Sequence, residues 1–292
     1  MRNVFFLLYC AGLCACSKQP ATESERLEMA AVAGEADAQI RLGYLLLEGK
    51  SVPMNKAKAI EWFEKAALQN SGGMRALGNC YMDGIGVPIN EAKAIEWFKK
   101  AASLGDGLAA YQLGKMYRDG RGVPKSAIKA AEWFEKAAAS GWGLGQELVA
   151  KMYAEGDGIE KNPAKAVEWF EKAAAQGNGS AMFSLGEMYA DGNGVPRDAA
   201  KAVELFERSA LSGWAAYQFM VAERYAEGKG VAKDSVRAYA WFSVAAADLG
   251  ATELLPQATK KRDEMELRLT LKEKAEAQKL SLEFSEKTKK RQ

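Results

Sequence analysis

The chain has 292 residues, 48% hydrophobic and 27% charged, which is enough apolar material for a sizeable core and typical of a globular protein. A formal net charge of +2 offers no dominant field to nucleic acid. The absence of histidine excludes Ser–His and Cys–His nucleophiles, His general bases and His metal sites, and with them most hydrolase mechanisms, so no cofactor or metal is expected.

Residues 1–16, MRNVFFLLYCAGLCAC, read as a leader. Arg2 precedes an apolar run over residues 4–15 that is too short to cross a bilayer as a helix but suits a secretory h-region. Leu13-Cys14-Ala15-Cys16 resembles the bacterial lipobox, although Cys14 is unusual inside it. The resemblance implies lipidation of Cys16, with ordinary cleavage or an uncleaved anchor as the alternative. Ser17 stands where inner-membrane retention uses Asp, so by resemblance to Gram-negative lipoproteins the expected location is the periplasm, anchored to the outer membrane. Residues 17–34 are expected to form a polar tether, SKQPATES, and an N-terminal cap. Once Cys10 and Cys14 leave with the leader and Cys16 is acylated, Cys80 is the single free thiol. It falls where later copies of a repeat carry Met116, Met152 and Met188, and is expected to be a small buried hydrophobe.

That repeat dominates residues 35–250. Trp62, Trp97, Trp133, Trp169, Leu205 and Trp241 succeed one another at spacings of 35, 36, 36, 36 and 36 residues, a period that signifies a solenoid. In residues 109–141, Leu113, Met116 and Tyr117 share one helical stripe, and the Gly120-x-Gly122-Val123 turn ends the helix. A second helix follows in each copy, with Asn55, Asn90, Ser126, Asn162, Asp198 or Asp234 able to cap its amides, and with Pro163 suited to a first helical position. Gly43, Gly78, Gly114 and Gly186 lie inside the first helix at a cost of about 1 kcal/mol each relative to alanine. They predict close helix approach, with Trp and Phe of the second helix filling the space around them.

The pattern A-x-x-x-L-G-x-x-Y-x-x-G-x-G-V followed by K-A-x-x-W-F-x-K-A-A-x-x-G resembles the Sel-1-like repeat, a relative of the tetratricopeptide repeat. The resemblance implies an all-α, right-handed α/α solenoid of six helical hairpins. Departures are local: Leu46 for tyrosine, Asn70 for the closing glycine, Val149-Ala150 and Val221-Ala222 for Leu-Gly, and Leu205 for tryptophan.

Two charge patterns have structural readings. Glu61, Glu96, Glu132, Glu168 and Glu204 each precede a base by four residues, the favourable order for an exposed helix pair. Glu48, Asp83, Asp119, Glu155, Asp191 and Glu227 close the first helices, against the helix dipole, and a base follows ten residues later in every copy. A bridge across each hairpin is therefore expected, the pairs being Glu48–Lys58, Asp83–Lys93, Asp119–Lys129, Glu155–Lys165, Asp191–Lys201 and Glu227–Arg237.

Recognition is sought where the copies differ. Trp142 and Trp214 follow the closing glycine where other copies carry Glu35, Asp106 and Asn178, and each either packs over the next helix or anchors a partner. Tyr111, Phe183 and Phe219 stand two residues before the Leu-Gly position, with Tyr217 nearby, and are expected to form an interrupted aromatic stripe on the concave face. Lys115, Arg118 and Arg121 form a local basic cluster read as a solvated face. The function these readings favour is a non-enzymatic, lipid-anchored scaffold for a protein or peptide partner in the bacterial envelope. An immunity lipoprotein against a secreted, type VI-like toxin is a narrower alternative. A β-lactam-binding or hydrolysing enzyme is an alternative of another class, which the lack of paired cysteines within each repeat disfavours.

Residues 251–292 leave the pattern. Pro256 breaks the chain, and Thr270-x-x-Glu273 forms a capping box before a helix with Ala277, Leu280 and Phe284 on one face. This segment is expected to cover the open end of the array, with the tail EKTKKRQ left as a basic fringe. Ala240 and Val244 replace the ion pair of earlier copies and should be buried beneath it.

Overall fold

A computed structural model describes residues 23–50, 52–247 and 253–290, so the leader, Cys16 and the first part of the tether lie outside the described residues. The described residues form fifteen α-helices and no strand. The chain divides into two compact units, Met1–Leu104 and Gly105–Gln292.

The first unit contains α1 (Glu23–Val32) and two hairpins, α2 (Ala36–Glu48) with α3 (Lys56–Ala67) and α4 (Ser71–Asp83) with α5 (Glu91–Ser103). The second contains four hairpins, α6 (Gly107–Asp119) with α7 (Ala127–Ala139), α8 (Gly143–Glu155) with α9 (Pro163–Ala175), α10 (Gly179–Asp191) with α11 (Ala199–Ala210), and α12 (Ala215–Glu227) with α13 (Ser235–Ala245). It ends in α14 (Leu255–Glu266) and α15 (Leu271–Lys289).

Local chemistry sets the hairpin. The expected cap side chains accept from the third helical amide, as Asn55 does from Lys58, Asn90 from Lys93 and Asp198 from Lys201, at 2.9, 3.0 and 2.9 Å. The backbone amide of the same cap residue donates to the preceding helix, Ser126 to the Tyr117 carbonyl and Asn162 to the Tyr153 carbonyl, at 2.9 and 2.8 Å. The turn between them needs a left-handed residue, supplied by Gly120 at φ 74° and its counterparts.

Phenylalanine holds the middle of each hairpin. Phe63, Phe98, Phe134, Phe170, Phe206 and Phe242 are all buried, whereas Trp97, Trp133 and Trp169 beside them are half-exposed. A methyl group on Gly43, Gly78, Gly114 or Gly186 would stand 2.4 to 2.8 Å from the facing phenylalanine ring, which explains the small residue. The space expected for Trp and Phe together thus belongs to Phe.

Both charge expectations are corrected. Lys65, Lys100, Lys136 and Lys172 do not pair with the glutamates four residues before them. Their ammonium groups stand 4.1, 4.3, 4.0 and 3.9 Å from the ring centroids of Trp62, Trp97, Trp133 and Trp169. Only the fifth copy, where Leu205 removes the ring, closes its pair, Glu204–Arg208, at 3.4 Å. The bridges across the hairpin are absent as well. Lys93, Lys129 and Lys165 lie over Tyr81, Tyr117 and Tyr153 at 5.2, 5.6 and 5.1 Å. Three of the acids pair within their own turn instead, Glu48 with Lys50 at 3.4 Å, Asp119 with Arg118 at 3.1 Å and Glu227 with Lys229 at 2.6 Å. An exposed pair gains about 0–1 kcal/mol, and a cation over a ring gains as much while also shielding the lysine's apolar stem.

At this position three later tyrosines reach back one hairpin. Tyr153 donates to Glu135, Tyr189 to Glu171 at 3.1 Å and Tyr225 to Glu207 at 2.9 Å, and Lys201 completes one triad 3.6 Å from Glu171. The hydrogen bond to Glu135 pushes the Tyr153 hydroxyl up to about 12.

Candidate functional site

Trp142, Trp214 and Tyr217 converge on an open groove of about 640 Å³ in the second unit, where the amino ends of α8, α10 and α12 follow one another. Trp142 and Trp214 occupy the N-cap positions of α8 and α12, and neither caps its helix through the side chain. Their surroundings differ. Trp142 is half-buried, edge-on to Tyr111 with ring centroids 4.8 Å apart. Trp214 is 69% exposed. Tyr217 is half-buried, roofing Gly179, where a methyl group would stand 3.3 Å from its ring, and stacking on Phe183 at 6.4 Å.

The remaining proposed contact residues are placed elsewhere. Phe183 and Phe219 are buried, packed on Phe206 and Phe242 at 5.2 and 5.3 Å, because the hairpin is closed by ring contact at that level. They belong to the core, which corrects the expected exposed aromatic stripe. Tyr111 stays half-buried between Phe134 and Trp142, 5.6 Å from the former. Within the basic cluster, Lys115 lies 5.9 Å over Tyr111 and Arg118 pairs with Asp119 at 3.1 Å.

The floor of the groove is polar. On α8, Lys151 donates to Glu147 at 2.5 Å; from the next hairpin, Ser180 donates to the same carboxylate oxygen at 2.7 Å and Asn178 to the other at 2.7 Å. Burial opposes ionisation of Glu147, but the hydrogen bonds from Lys151, Ser180 and Asn178 outweigh it and hold the carboxyl below its usual range. Behind this cluster the Gln176 amide donates to Gln146 and to the Gly141 carbonyl, both at 2.8 Å. Leu144 adds apolar surface that is 58% exposed.

Sequence reasoning singled out the tryptophans and missed Lys151, Ser180 and Gln176. A signal was present in the Glu147–Lys151 spacing of four on a helix. Asn178 and Ser180 gave none, because their partner is 31 and 33 residues away. Cys80 is buried as expected, and burial, reinforced by Asp83, pushes its thiol up to about 11. The acidic row does not gather: no group of three or more potential metal ligands occurs among the described residues.

A stack of hairpins joined by Tyr–Glu bonds, with a groove on its varied positions, is a helical repeat protein. The Sel1 repeat matches residues 36–71, 72–106, 107–142, 143–178, 179–214 and 215–248, and the chain belongs to the Sel1 repeat family, whose repeats generally mediate protein–protein interaction. A Sel1 repeat protein from Oxalobacter formigenes is similar at 28% identity over 76% of this chain and 98% of its own, with a TM-score of 0.61. A protective antigen of uropathogenic Escherichia coli with an SLR fold is 27% identical over 90% of this chain and 79% of its own, with a TM-score of 0.44. An immunity protein from Pseudomonas aeruginosa is 20% identical over 79% of this chain and 82% of its own, with a TM-score of 0.42. The first likeness supports the shared fold. No curated protein matches the chain.

Proposed function

We propose that the chain is a non-enzymatic protein-interaction scaffold, held at the outer membrane by a lipid on Cys16, whose partner docks in the groove between Trp142 and Trp214. The observation that carries the reading is Trp214, 69% exposed at a groove shared with Trp142 and Tyr217. An indole left in water, beside other aromatics and a satisfied polar floor, has the composition of an interface anchor.

The test is capture from envelope extract by immobilised protein beginning at Ser17, run beside Trp214→Ala. A partner retained by the parent and lost by the variant, at equal melting temperature, is the expected result. Equal capture by both would remove the groove from the reading. The anchor rests on the lipobox-like residues 13–16, and labelling with palmitate should mark the parent but not Cys16→Ser.

A further inference from the structure

We infer that the groove takes an acidic peptide segment, with a carboxylate at Lys151 and an apolar or aromatic side chain against Trp214. This rests on the docking reading above and adds the chemistry of the occupant. Two charged side chains line the groove, Glu147 and Lys151, and they differ in what they offer a ligand. The Glu147 side chain is 13% exposed, and both of its oxygens already accept hydrogen bonds from Lys151, Ser180 and Asn178. The Lys151 side chain is 44% exposed. Its ammonium carries three donors, of which one reaches Glu147 at 2.5 Å and one makes a long contact of 3.4 Å with the Ser180 hydroxyl.

The pair is neutral in sum, yet the group available to a ligand is the cation. A carboxylate would take the remaining donor and complete a charge-assisted hydrogen bond. A basic segment would set a second cation against Lys151, while Glu147 is largely buried and already accepts three hydrogen bonds. The amino end of α8 has the same sign, since its N-cap Trp142 provides no oxygen where Asn70, Asp106 and Asn178 do in sister helices. The indole of Trp214 then fixes the neighbouring apolar residue.

Random dodecapeptides displayed on phage are the probe, selected on the full mature protein and counter-selected on Trp214→Ala. The expected clones carry Asp or Glu next to a large apolar or aromatic residue. Their affinity should fall about tenfold in Lys151→Gln, survive in Lys151→Arg, and weaken as salt is raised. Replacing the peptide's Asp or Glu by Asn or Gln should cost the same factor. Neutral or basic clones that still require Trp214 would overturn the acidic occupant and leave the docking groove standing. If no clone separates the parent from Trp214→Ala, the groove itself is not a docking site and both readings fall.

Discussion

The two ends of the helical array are closed by different means. At the amino end, α1 occupies the place of the second helix of a preceding repeat. Gln39 donates to the Ala31 carbonyl of α1 at 3.1 Å, as Gln146 donates to the Ala138 carbonyl of α7 at 3.4 Å, and Glu28 of α1 receives Lys58 at 3.8 Å, as Glu171 receives Lys201 at 3.6 Å. At the carboxyl end α14 and α15 have no counterpart in the repeat and cover α13 with new apolar surface. Phe284 stacks on Trp241 with centroids 4.1 Å apart and planes 11° from parallel, and Ala240 and Val244 are buried where Glu132 and Lys136 of an earlier copy are exposed. The difference shows that an end can be closed by reusing the repeat's polar joints or by abandoning them for hydrophobic burial. The second means should hold more tightly.

Truncation after Leu249 is the strongest test, because it bares Ala240, Trp241 and Val244 together; aggregation is expected, and a soluble, cooperatively melting product would show α14 and α15 to be dispensable. Phe284→Ala should lower stability by about 3–5 kcal/mol in denaturant titration, since an aromatic is removed from a stack over a fully buried tryptophan. Gln39→Ala should cost about 0.5–1.5 kcal/mol through the hydrogen bond it removes, since the Ala31 carbonyl keeps its bond from the Gly34 amide, and hydrogen exchange should quicken in α1 but not in α15. Lys58→Ala should change stability by no more than about 1 kcal/mol, because its partner Glu28 is exposed; a larger loss would make the amino-terminal joint electrostatic. The smallest effect concerns pH. Hydrogen bonds from the Thr270 side chain and backbone hold the Glu273 carboxyl below its usual range. Its contribution is therefore present above the ordinary carboxylate pKa and lost as pH falls through the lowered one. Exchange at the start of α15 should quicken with acid in the parent, and Glu273→Gln should abolish that dependence.

Much of this was legible in the chain. The period, the six cap residues, the left-handed glycines and the Thr270 capping box are local signals whose geometry is decided within about four residues. The burial of Ala240 and Val244 was legible as well, because two charges vanished together from a repeated surface. The partners of the lysines were not. Lys100 could meet Glu96 or Trp97 with equal ease along the helix, and the half-exposed indole decided the outcome. A cap was expected before residue 35, but the likeness of α1 to a second helix was hidden because its residues lack the Trp-Phe pair and only the Glu28 and Ala31 positions keep the register.

The candidate site divides the same way. Spacing alone placed Trp142 and Trp214 at equivalent helix starts, since a fixed period carries every residue to the same position in its hairpin. Which of them faces water was settled by a third residue: Tyr111 lies beside Trp142 and covers it edge-on, while Trp214 keeps most of its surface free. What the half-exposed Lys151 offers likewise depends on Ser180 and Asn178, which bond to its partner from the next hairpin. The amino-acid sequence determined the building block, because helix starts, stops and apolar stripes are short-range. Only the tertiary structure decided what each block shows to a ligand, because exposure and charge pairing belong to neighbours some thirty residues away.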